Sequence, residues 1–296
     1  MIDWLTEPWQ HAFMRHALLA IVLVGVICGV IGSFVILRGL AFLGDALAHA
    51  IFPGVVIAFI FGGNFLVGAI IAAVIISAGI GAISQSGRIT NDTAIGVIFA
   101  GGFALGVALL STQRSYARDL NSFLFGSILS VKRTDLYLTA IVGLVVLVVV
   151  FWFRREFTTI AFDRAFAQSR GIDLWKFDQA FLIALSLAIV ISLQTVGNVL
   201  VLAMLVTPAA TARLLTERLR IMVVLSSLIG ASCGIGGLYL SYYRGVPSGA
   251  GVVLVATSVF LLTFLFAPRT GTITSRIQRR LHHPHPERDE FIQRSA

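Results

Sequence analysis

Lysine and cysteine are almost missing from this sequence, and charge of any kind is thin. Two cysteines occur in 296 residues, and only 12% of positions are charged. Each scarcity removes a class of function. The two lysines, Lys132 and Lys176, do not follow glycine, so no phosphate-binding loop of the Gly-Lys-Ser/Thr kind is present. If ATP drives this protein, a different polypeptide hydrolyses it. Cys28 and Cys233 fall in separate apolar runs without CxxC spacing, which indicates neither a cysteine metal site nor a disulfide. No HExxH and no GxSxG occurs, so a zinc protease and a serine hydrolase of these types are unsupported. The chain does not read as an enzyme.

What the chain has instead is apolar length. Hydrophobic residues make up 57% of the sequence. Repeated runs of about 18 residues or more, enough to cross ~30 Å of hydrocarbon, predict an all-α, polytopic helical membrane protein. Nine spans emerge, at about 14–37, 41–61, 66–84, 93–111, 137–153, 178–196, 197–215, 220–240 and 249–267. The segment Gln194-Thr195-Val196-Gly197-Asn198 is either a turn or a reentrant break, so the reading is eight or nine helices. The formal charge of +8 is spread between the runs, which fits topology better than nucleic-acid binding. Sixteen of the 22 Lys and Arg collect on one side of the predicted topology, against six on the other. That side is assigned to the cytoplasm. Residues 1–13 are then an extracytoplasmic N-terminus without a cleaved signal peptide, and 14–267 are the membrane domain. Residues 154–177 form a cytoplasmic loop, and 268–296 a basic, disordered cytoplasmic tail. The tail histidines His282, His283 and His285 sit among prolines, which favours disorder over a fixed metal geometry.

Two residues stand out inside the apolar runs. Apart from His16 and Asp178 at span ends, Asp45 is the only carboxylate in any of them and His49 the only histidine. Four residues apart on a helix, they share one face. Ionisable groups at membrane depth are costly and point to an ion or proton path. The alternative is a local hydrogen-bonded pair that fixes helix packing. A carboxylate and an imidazole without thiolate suit manganese, zinc or iron(II), and a two-fold dimer would double the set. Pro53 lacks the N–H that would bond the His49 carbonyl, so a bend is expected beside the pair. Because Arg38 marks the end of the first span, both residues are expected in the first, cytoplasmic half of the second. Elsewhere, Gly25/Gly29 and Gly230/Gly234 have the spacing of close helix contacts. In the cytoplasmic loop, Phe162 and Phe166 are four apart, with Gly171 following as a helix C-cap. The external connection 112–136 contains an amphipathic stretch that fits a short interfacial helix or a plain connector.

Several segments together resemble the permease subunits of bacterial ABC importers for zinc and manganese. They are GSFVILRGLAFLGDALAHAIFPGVVIAF, NDTAIGVIFAGGFALG, DLNSFLFGSIL and QTVGNVLVLAMLVTPAATARLL. The resemblance runs in family order over about residues 15–267. It implies a fold similar to the vitamin B12 importer permease with fewer helices, in the bacterial cytoplasmic membrane. It implies a homo- or heterodimer of permeases on two cytoplasmic ATP-binding subunits, supplied by an extracytoplasmic metal-binding protein. The family's metal pair falls on Asp45 and His49, and its ATPase-coupling segment on Phe162, Asp163, Ala165, Phe166 and Gly171. Mn2+ or Zn2+ would be cargo, with no permanently bound cofactor. A stand-alone proton- or potential-driven metal carrier is the competing reading.

Overall fold

The computed structural model of the chain describes residues 3–85, 90–112 and 128–267. The whole tail 268–296 with its histidines, and residues 113–127 of the external connection, lie outside the described residues. Among the described residues every regular element is helical. A short α1 (Asp3–Gln10) precedes α2 (Ala12–Leu37). Next come α3 (Leu43–Ala50) and α4 (Phe52–Ile60), then α5 (Phe65–Gln85) and α6 (Asn91–Ser111). After a 3-10 turn at Ile128–Ser130 come α7 (Arg133–Trp152), α8 (Arg154–Phe162) and α9 (Arg164–Ser169). The last four are α10 (Leu174–Val196), α11 (Asn198–Leu215), α12 (Leu219–Arg244) and α13 (Ser248–Phe266).

Counting α3 and α4 as one, nine segments are long and apolar enough to cross a membrane among the described residues. The ambiguous stretch near residue 197 is a turn between two full helices. Gly197 sits at φ 85°, a conformation glycine adopts without steric cost, and it separates α10 from α11. Two spans start earlier than hydropathy predicts. α7 begins at Arg133 and α10 at Leu174, because capping bonds extend each helix into charged sequence. Asp135 accepts from the Lys132 N–H at 3.1 Å, and Asp173 accepts from the Lys176 N–H at 3.3 Å.

The centre of the bundle is built on α2. A Cβ added to Gly25 would lie 2.8 Å from the Ala231 nitrogen, and one on Gly29 2.7 Å from the Ser227 Cα. The backbones of α2 and α12 therefore touch, as the small-residue spacing predicts. Polar pairs tie other helices together between apolar surfaces. Ser77 of α5 meets Ser186 of α10 at 2.7 Å, and Thr139 of α7 meets Thr195 of α10 at 2.9 Å.

The cytoplasmic loop carries two short helices. α8 ends at Phe162, and Asp163 starts α9 by accepting from the Phe166 N–H at 2.9 Å. Phe162 and Phe166 thus belong to different helices, both exposed at 62% and 50%. Aspartate at a cap position breaks a helix that the apolar spacing alone would continue. Gly171 ends α9 at φ 76°, where the Ile172 N–H donates to the Ala167 carbonyl.

Candidate functional site

The second span is broken where proline predicts trouble. α3 ends at Ala50, α4 starts at Phe52, and Pro53 lies in the first turn of α4. The Gly54 N–H reaches back to the Ile51 carbonyl at 3.0 Å. Two short helices therefore replace one continuous rod.

This break lies deeper than the sequence implies. A Cβ on Gly102 would be 3.1 Å from the Ala50 carbonyl oxygen, and Gly102 lies near the middle of α6. His49 is thus about ten residues, roughly 15 Å, from either end of that helix. Both residues keep to the first half of their own segment, Leu43–Ile60, as expected, while packing sets that part level with the middle of α6. In the first turn of α3 a Cβ on Gly44 would touch Leu205 Cδ2 of α11 at 2.7 Å, so α3 packs closely on α11 as well.

Asp45 Oδ1 and His49 Nε2 are 3.4 Å apart, a loose pairing. The same Nε2 lies 3.1 Å from Asn198 Nδ2. Asn198 is the first residue of α11, is buried, and has no partner for its Oδ1. The amide oxygen and nitrogen exchange by a flip of the side chain, so an oxygen can face His49 as readily as the nitrogen does. Phe99 and Phe103 of α6 flank the imidazole, with ring centroids 5.8 and 5.5 Å away. Apolar walls around a carboxylate, an imidazole and an amide make a small mixed O/N ligand set. Among the described residues no cluster of three or more His, Cys, Asp or Glu forms, so within one chain the set stays incomplete. Sequence reading missed Asn198. It lies 149 positions from His49, and a lone asparagine after glycine reads as a turn.

A second polar cluster lies below, at the arginine-rich end of the bundle. Asp178 of α10 accepts from Arg38 at 2.9 Å and from Arg164 of α9 at 2.7 Å. Arg38 is only 7% exposed in its side chain, and its guanidinium lies 4.3 Å from the Phe181 ring centroid. Burial pulls its pKa below the ordinary value, and Asp178 opposes that pull. Between this cluster and α3 is a cavity of about 440 Å³ lined by Leu43, Ser84, Asp178 and Gln179. Ser84 Oγ and both amide atoms of Gln179 are buried without a protein partner.

Comparison with known proteins agrees with this architecture. The profile of the ABC 3 transport family matches residues 10–267. The manganese transport system membrane protein MntC of Halalkalibacterium halodurans is 47% identical over 265 residues, covering 90% of this chain and 91% of that one. A chain of the structure of PsaBC from Streptococcus pneumoniae in complex with Fab superposes with a TM-score of 0.80 at 36% identity. That match covers 91% of this chain and 98% of the other. An inward-facing metal-chelate type ABC transporter superposes with a TM-score of 0.69 at 14% identity, covering 84% and 85% of the two chains. The last likeness is one of fold alone, and the fold is that of the vitamin B12 importer type.

Proposed function

The chain belongs to the ABC 3 transport family, and on that premise we propose that it is the membrane-spanning subunit of an ATP-driven manganese importer. The observation that carries the proposal is the convergence of Asp45, His49 and Asn198 at mid-span, in a chain whose relative is a manganese transport protein. Manganese is favoured over zinc by that relative and by the oxygen-rich donor set.

The dimer follows from an electrostatic argument. Asp45 is 44% exposed in its side chain although it lies near mid-span. A carboxylate facing hydrocarbon at that depth is too costly to persist, so a second permease covers it. Two copies supply two carboxylates, two imidazoles and two amides, enough for a moderately binding transit site. Below it, the cavity lined by Ser84 and Gln179 offers polar groups toward the arginine-rich end.

That end is the cytoplasmic one, by the excess of arginine, so the N-terminus faces out and the C-terminus in. Two separate ATP-binding subunits dock there on Phe162, Asp163, Ala165, Phe166 and Gly171. An extracytoplasmic binding protein delivers the ion to the opposite end. In the cycle, movement of α8 and α9 by the ATPases tilts α10 through the Arg164–Asp178 pair. Asn198 stands just beyond the far end of α10, against His49, and opens or closes the site by alternating access. The ion is cargo, and hydrolysis is the ATPases' chemistry.

The test is uptake in cells co-expressing the ATPase and binding protein. Asp45→Asn and His49→Ala are each expected to abolish manganese accumulation while leaving the ATPase complex intact on purification. Loss of the folded complex would instead make the pair a packing contact. Uptake by this chain alone in vesicles without ATP would establish a stand-alone carrier.

A further inference from the structure

Five arginines of the arginine-rich end that lack a carboxylate among the described residues share one cleft. Arg154, Arg155, Arg170, Arg218 and Arg220 are all exposed, and none forms an ion pair among the described residues. They line a single cleft of about 1420 Å³ between α8–α9 and the start of α12. Two acids share the lining, Glu156 and Asp163. Asp163 is engaged as the helix cap of α9, and one carboxyl oxygen of Glu156 is buried without a partner. The cleft therefore carries a net excess of three positive charges, five against two.

Its other walls are apolar. Phe34 of α2, Phe151 at the end of α7, and Val223 and Val224 at the start of α12 also line the cleft. Phe151 and Val224 are 52% and 58% exposed, and the outer faces of both helices continue in exposed Leu144, Val148 and Leu228. One cleft thus combines guanidinium groups at its mouth with an apolar flank along two spans. A phosphate anion satisfies the first feature and acyl chains satisfy the second.

We propose that this cleft seats the headgroup of an anionic phospholipid, with its acyl chains lying along α7 and α12. Basic pockets between spans at a membrane surface favour such headgroups, because the phosphate gains charge-assisted hydrogen bonds while its chains stay in hydrocarbon. An acidic surface of the ATPase is the competing occupant for the guanidiniums, and Phe162, Asp163 and Phe166, assigned to ATPase docking, line the same cleft. That surface would leave Phe34 and the exposed Phe151–Val224 flank unexplained, so the lipid accounts for more of the cleft.

The test is native mass spectrometry of the full chain released from nanodiscs of equal phosphatidylglycerol and phosphatidylcholine. The expected result is preferential retention of phosphatidylglycerol. Retention should fall about fivefold for each of Arg155→Gln, Arg218→Gln and Arg220→Gln, and less at high salt. Arg133→Gln, at the opposite end of α7, should retain the lipid as the parent does and so controls for charge alone. Equal retention of the two lipids, or undiminished retention by the triple variant, would overturn the proposal. So would complete displacement of the lipid when the ATPase subunit is added, which would give the cleft to the protein partner.

Discussion

Asp45 and Asp178 are both carboxylates in the helical bundle, and their surroundings are opposite. Asp178 is saturated: Arg38 takes one oxygen and Arg164 the other, at 2.9 and 2.7 Å. Asp45 has one loose partner at 3.4 Å and a side chain 44% exposed. The first arrangement gives a counter-charge to a buried guanidinium that would otherwise be stranded between Phe157 and Phe181. The second leaves lone pairs free beside an imidazole and an amide. Saturation marks a joint, and vacancy of coordination marks a site.

The contrast breaks most sharply at Asp178. Asp178→Ala is expected to cost about 3–5 kcal/mol, because it abandons a buried arginine without its counter-charge. Asp45→Asn should change stability by no more than about 0.5 kcal/mol, since it strands nothing. Thermal unfolding of the two purified variants in the same detergent checks both values. A stable Asp178→Ala protein would remove the joint from the account.

Asn198 is the next lever. It contributes one amide to a site whose charge comes from Asp45 and His49, and it orients the imidazole through the 3.1 Å contact. Replacing such a neighbour typically costs between ten- and a hundredfold in metal affinity or activity. Asn198→Ala is therefore expected to lower initial manganese uptake about tenfold while Asp45→Asn abolishes it. Equal, complete loss in both would promote Asn198 to an indispensable ligand.

These residues also mark where sequence reading stops. The spans, the Asp45–His49 pair and the break before Pro53 are local patterns, set by hydropathy, a four-residue spacing and a missing N–H. Depth is not legible, because it is set by how α3 packs on α6 and α11, at Ala50–Gly102 and Gly44–Leu205. The contacts Arg38–Asp178 and His49–Asn198 join positions 140 and 149 apart, and only the packed bundle brings them together. The split between α8 and α9 is hidden for a different reason. A capping aspartate, Asp163, overrode the spacing of the two phenylalanines.

The smallest effect belongs to the exposed counterpart of these pairs. Lys176 and Asp173 approach to 3.0 Å, with side chains 72% and 45% exposed. Water screens that attraction, so Lys176→Ala is expected to shift Tm by less than about 1 °C. Asp173→Ala should shift it further, because Asp173 also caps α10 by accepting from the Lys176 N–H. Hydrogen bonds from Lys176, first from its side chain and then from its backbone, hold the Asp173 carboxyl below its ordinary value. A depressed carboxylate stabilises the fold above its unfolded pKa of about 4 and loses that contribution as acid takes the pH through the lower folded value. The gap between the two variants should therefore be open at pH 7 and should close on acidification. A gap that is independent of pH would mean that the Asp173 cap does not depend on its charge.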